Sequence, residues 1–181
     1  MRGLLISTSI AISLLFSAAL PALAEGTILT VSGAVGKTNR EAIDPFFDGF
    51  LKFHDKTFDK AYTFNWDALA TLPQKTVKVN ADTEDWPRTL TMQGPLLEDV
   101  LAAADADGKA VTLYALDGFG LTMDAAKLAS RDWILAMKID DEPLGIGGFG
   151  PLWLVYDTGG RKVPEEEERS WVWSVFHIEV E

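Results

Sequence analysis

The run of apolar and polar positions predicts many short strands and a few short helices. Residues 27–32 (Thr-Ile-Leu-Thr-Val-Ser) alternate and are closed by Gly33, the mark of a first strand. Residues 40–60 carry Phe46, Phe47, Phe50, Leu51, Phe53, His54 and Phe58 at spacings of three and four among acids and lysines. That spacing predicts an amphipathic helix, with Asp44-Pro45 as its cap and first turn. A short strand at 62–64, a helical turn at 66–72 stopped by Pro73, and a strand at 76–79 follow. Residues 88–92 alternate Thr89 and Thr91 with Leu90 and Met92 and read as a further strand. Gly94-Pro95 then predicts a helix over 96–104 with Pro95 at its first position, ended by Asp105-Ala106-Asp107-Gly108.

Further along, residues 110–116 form an apolar strand pattern ending at Asp117-Gly118, and 125–129 a short helix. Residues 133–139 and Leu144 flank a turn at Asp140-Asp141-Glu142-Pro143. Residues 151–156 are a very apolar strand and 171–180 the last one, with a polar loop over 157–170 between them. No fixed-period repeat and no internal linker is visible. The order of elements is α+β: a mixed β-sheet core with short helices.

The first 24 residues have a different character. Arg2, an apolar run over 4–20 and the ending Pro21-Ala22-Leu23-Ala24 are the three parts of an export signal, which predicts cleavage after Ala24 and a periplasmic or secreted protein with no stable membrane anchor. Arg2 is followed by Gly3, so the twin-arginine mark of folded-protein export is absent. Residues 25–181 then read as a single domain.

Composition narrows the chemistry. The chain of 181 residues has 16 Lys+Arg against 27 Asp+Glu, a formal net charge of −11, which disfavours nucleic acid as a partner because its phosphates would be repelled. There is no cysteine, which removes disulfides, thiolate nucleophiles, iron–sulfur clusters and Cys-based zinc sites. His54 and His177 stand among aromatic and apolar residues and read as packed side chains; no metal site is predicted. Asp105-Ala106-Asp107-Gly108 lacks the later bidentate Glu of a calcium loop and reads as a turn. Gly145 to Gly150 lacks the Lys-Ser/Thr ending of a phosphate loop and leads into a strand. Glu165-Glu166-Glu167-Glu168 reads as a solvated loop. Trp86 and Phe119 stand in loops after strands, where an aromatic side chain is better placed to bind than inside a strand.

Several blocks together resemble a known family. Residues 94–101 (Gly-Pro-Leu-Leu-Glu-Asp-Val-Leu), 111–118 (Val-Thr-Leu-Tyr-Ala-Leu-Asp-Gly), 134–136 (Ile-Leu-Ala) and 150–156 (Gly-Pro-Leu-Trp-Leu-Val-Tyr) are similar, in order and spacing, to the oxidoreductase molybdopterin-binding domain, the sulfite-oxidase fold. Trp171-Val172-Trp173 with Ile178-Glu179-Val180 resembles that family's last strand. The likeness covers residues 27–181, with its best blocks after Leu72, and segment 40–60 departs from it.

The resemblance implies a molybdopterin cofactor whose metal is held by a cysteine in the loop after residues 77–80. Here that loop reads Ala81-Asp82-Thr83-Glu84-Asp85-Trp86. A hard carboxylate is a poor substitute for a soft thiolate on molybdenum, and three acids stand where an anionic pterin phosphate is implied. Arg88 is the nearby cation; Arg131, Arg161, Lys162 and Arg169 lie in other loops. No cofactor is therefore expected, molybdopterin entering through the resemblance alone. The favoured reading is a noncatalytic exported domain that binds a small molecule or an exported protein partner in the former cofactor groove. Its expected lining is Trp86 and Arg88, with Asp117, Gly118 and Phe119 across from them. The alternatives are a molybdopterin-dependent oxidoreductase with atypical metal ligation, and a hydrolase using carboxylates from Asp82, Glu84, Asp85 and Asp117.

Overall fold

A computed structural model of the chain describes residues 26–106 and 108–181. The expected export signal, and Asp107 of the acidic turn, lie outside the described residues. The chain runs β1 (Leu29–Gly33), β2 (Arg40–Glu41), α1 (Gly49–Phe53), β3 (Lys60–Phe64), α2 (Trp66–Thr71), β4 (Gln74–Val79), β5 (Leu90–Pro95) and α3 (Leu97–Ala103). It continues through β6 (Val111–Ala115), β7 (Gly120–Met123), α4 (Ala125–Ala129), β8 (Trp133–Ala136), β9 (Lys138–Ile139), β10 (Glu142–Pro143), β11 (Trp153–Tyr156), α5 (Glu165–Glu168) and β12 (Val175–Val180). Three sheets result: β2-β3-β1-β12-β6-β7, β10-β9-β5-β4, and the pair β11-β8. The α+β architecture with a mixed sheet core is the one the sequence pattern predicts. Among the described residues no helix is long and apolar enough to cross a membrane.

The central sheet is mixed because β1 pairs parallel with β12 while β12 pairs antiparallel with β6. Period-two alternation does the sorting: in β6, Val111, Leu113 and Ala115 are buried while Thr112 and Tyr114 are half-buried. The other two sheets pack closely through Gly94 in β5, where an added Cβ would stand 1.9 Å from the Leu135 carbonyl oxygen in β8. This corrects the reading of Gly94-Pro95 as a helix opening. Both residues belong to β5, the helix begins at Leu97, and the glycine is there for a close backbone crossing.

Three further expectations are corrected. Segment 40–60 is not one long helix: Arg40–Glu41 is spent in a strand pair with β3, Asp44 Oδ1 accepts the Phe46 and Phe47 N–H groups at 2.8 and 2.9 Å, and Asp55 takes a left-handed conformation after a five-residue α1. Its phenylalanines do not form a buried stripe, since Phe46, Phe47 and Phe53 are 84%, 85% and 78% exposed. The last strand starts at Val175, not Trp171, because Ser174 is left-handed and Val172 instead bridges Leu154 of β11. The acidic run at 165–168 is a single helical turn behind Pro164, its carboxylates at the positive end of the helix. Besides β2, two strands went unread: β7, which folds back on β6 after Asp117-Gly118, and β10, where Glu142-Pro143 pairs with β9 and leaves Asp140 and Asp141 as the left-handed turn.

His177 lies in β12 at the middle of the six-stranded sheet and is 1% exposed. Its Nε2 is 2.8 Å from Ser32 Oγ, and its ring stacks on Tyr114 at 5.7 Å between centroids. His54 packs between Phe50, Phe53 and Phe176. Both are packed histidines.

Candidate functional site

The loop after β4 is held firmly at its base. Asn80, buried, donates from its amide nitrogen to Thr89 Oγ1 at 3.0 Å and the Gly160 carbonyl at 3.2 Å, and its backbone N–H donates to Thr158 Oγ1 at 3.2 Å. One residue on, Ala81 bridges Val163, and the Asp82 N–H donates to the Val163 carbonyl at 2.7 Å. The loop therefore leaves the sheet in one direction and carries Asp82, Glu84 and Asp85 out to solvent while Trp86 turns back.

Trp86 lands on two core tryptophans, with ring centroids 5.4 Å from Trp171 and 5.8 Å from Trp153. Trp153 in turn stacks on Phe149 at 4.5 Å with 24° between planes, and Phe149 meets the edge of Trp173 at 6.2 Å. The rings from the 81–86 loop, the entry to β11 and the entry to β12 thus make one continuous wall. In front of it opens a cleft of about 520 Å³, lined by Trp86, Phe149, Trp153 and Trp173 together with Asp82, Glu84, Asp85, Glu165 and Glu168. Among the described residues no Lys or Arg lines it. The indole Nε1 atoms of Trp86, Trp153 and Trp171 are all buried without a hydrogen-bond partner.

Electrostatics differ between two adjacent acids at the end of α5. Burial, then repulsion from Glu165, pushes the Glu168 carboxyl above its ordinary range, with Arg169 opposing. Glu167, one residue earlier, is held below that range by the hydrogen bond from the Tyr156 hydroxyl and by Arg131 at 3.0 Å. The Tyr156 hydroxyl is pushed up to about 12, by burial first and Glu167 second. Glu167 therefore anchors α5 to β11, while Glu165 and Glu168 face the cleft.

The expected site residues are divided. Trp86 lines the aromatic cleft. Asp117 and Phe119 line an adjoining cleft of about 350 Å³ that shares Glu168 and Trp173 with the first. Asp117 Oδ1 accepts the Phe119 N–H at 2.9 Å and so shapes its own turn. Gly118 stands away from both, next to His54. Arg88 lines neither cleft; its guanidinium pairs with Asp140 at 2.6 Å. The carboxylates of Asp82, Glu84 and Asp85 share the rim of the first cleft, without Asp117. Phe149, Trp153, Trp173, Glu165 and Glu168 went unrecognised in the sequence. Their one local signal is the aromatic placed at each chain entry to a strand, in Gly-Phe-Gly-Pro-Leu-Trp and Trp-Val-Trp.

A molybdenum–pterin group does not fit these residues. The loop that would supply its thiolate offers buried Ala81 and then Asp82, which is engaged by Lys162 at 3.1 Å. The cleft in front would meet a phosphate with five carboxylates and, among the described residues, no cation. Among the described residues no group of three or more His, Cys, Asp or Glu side chains is gathered to hold a metal ion.

The mixed sheet core with its short helices, together with the structural likeness that follows, defines an α+β domain of sulfite-oxidase-like fold. Among solved structures, the chain is similar to the sulfane dehydrogenase SoxCD from Paracoccus pantotrophus, with 17% sequence identity and a TM-score of 0.53 over 84% of this chain. The match spans 37% of that longer chain. At this identity the likeness establishes the fold. No protein-family model matches the sequence, and no curated protein matches it.

Proposed function

We propose that this chain is an exported, noncatalytic binding domain that holds a small molecule in the aromatic cleft beside the 81–86 loop. The observation that carries the reading is the composition of that cleft. Four aromatic side chains build a concave wall of ligand-binding size, in a place with neither a thiolate for molybdenum nor a cation for a pterin phosphate. The likeness to a sulfane dehydrogenase favours a second reading, a molybdopterin-dependent oxidoreductase with atypical ligation.

Elemental and pterin analysis of the protein taken from its native exported compartment separates the two. Molybdenum and pterin at background level support the binding domain. Near-stoichiometric molybdenum overturns it in favour of the oxidoreductase.

A further inference from the structure

We propose that the ligand of the aromatic cleft is a small organic cation, a quaternary or tertiary ammonium group or an N-alkylated heterocycle. The inference rests on the small-molecule reading above. Its first ground is the wall: Phe149 and Trp153 stack with 24° between planes, Trp86 leans on Trp153, and Trp173 closes the edge. Aromatic faces carry negative potential and attract a positive charge seated over them, tryptophan most strongly.

The second ground is the rim. Of its five carboxylates, Asp82 is paired with Lys162 at 3.1 Å and Glu165 with Arg169 at 2.7 Å. Glu84, Asp85 and Glu168 have no ion-pair partner among the described residues. An anion would meet unscreened repulsion there, and a neutral apolar molecule would desolvate the rim acids with no return. A cation satisfies both the faces and the free carboxylates. Crowding of Glu168 by its own burial and by Glu165 adds to the preference, since a positive charge relieves both.

The third ground is open ring surface: Phe149 and Trp173, both in the cleft lining, are 50% and 42% exposed, so a ligand can reach their rings while Trp153 and Trp86 back them. The net charge of −11 steers cations towards the surface as a whole.

The test is titration of the full exported protein, followed by tryptophan fluorescence and calorimetry. The probes are tetramethylammonium, choline and N-methylpyridinium, against 3,3-dimethylbutan-1-ol as the neutral isostere of choline and inorganic phosphate as the anion. At least one cation should bind saturably, and choline at least about ten-fold more tightly than the alcohol, the order of one well-desolvated cation–π contact. In the triple variant Glu84→Gln, Asp85→Asn, Glu168→Gln, cation affinity should fall about ten-fold or more with alcohol binding unchanged. These three side chains are exposed or half-exposed, so the variant keeps the fold. Equal binding of choline and the alcohol, or binding of phosphate alone, overturns the cation inference and leaves the small-molecule reading standing. Binding of no probe overturns both.

Discussion

Replacing His177 by glutamine should reverse its effect on stability between neutral and acid pH. The imidazole is buried in the central sheet, bonded through Nε2 to Ser32 Oγ at 2.8 Å, with no partner for Nδ1. The charges that act on it are positive: Lys56 sits 3.0 Å over the Tyr114 ring that stacks on His177, and Arg40 acts in the same sense, while the nearby Glu179 carboxylate is engaged by Lys56 and the Tyr114 hydroxyl. Burial first, then Lys56 and Arg40, bring the imidazole down from 6.5 to about 3. The unfolded chain therefore takes up a proton below pH 6.5 that the folded protein refuses, and stability falls as pH drops from 6.5 towards 3. The slope from this one group approaches about 1.4 kcal/mol per pH unit, or roughly 3 kcal/mol lost by pH 4. Glutamine keeps a polar contact to Ser32 without titrating. At pH 7.5 the variant should be about 1–2 kcal/mol less stable than the parent through lost packing on Tyr114. By pH 4 it should be the more stable of the two. Urea unfolding of both proteins across pH 7.5 to 4 measures the difference directly, because the carboxylates that titrate in this range are common to both. Parallel curves, or an imidazole that titrates near pH 6.5 by NMR, would refute the reasoning.

Three other outcomes are expected. Trp86→Ala should lower stability by about 2 kcal/mol, a partial version of a buried tryptophan deletion, and abolish binding in the aromatic cleft; Arg88→Ala should leave both the thermal midpoint and binding unchanged, since that side chain is exposed and lines neither cleft. Loss of binding in Arg88→Ala would move the site towards Asp140. Gly94→Ala should cost about 3 kcal/mol, roughly 6–12 °C in thermal midpoint, because the new methyl group meets only backbone atoms of Leu135 and Ala136; an unmoved midpoint would contradict the tight β5–β8 crossing. Mass spectrometry of the native protein should find Glu25 at the N-terminus, and an intact Met1 form in the soluble cytoplasm would overturn export.

What could be read from the sequence depended on the range of the interaction that decides each feature. The strands read at 76–79 and 110–116 and the helix read at 125–129 follow from neighbours within a few residues and were legible, though the first strand begins two residues earlier, at Gln74. Gly94 was misread because its reason is a carbonyl oxygen on another strand. Segment 40–60 was misread because strand pairing of Arg40–Glu41 with β3 overrides a helical spacing of phenylalanines. The site divides in the same way. The absence of cysteine and the acidic loop at 82–85 are statements about one stretch of chain, so both were readable at once. The cleft is a statement about four stretches: Trp86 from one loop, Phe149 and Trp153 from the entry to β11, Trp173 before the last strand and Glu168 from a helical turn. Each of these looks locally like core or like a solvated face. Only their convergence gives the carboxylates aromatic faces to act with, and that convergence turns a site that repels a phosphate into one suited to an ammonium group.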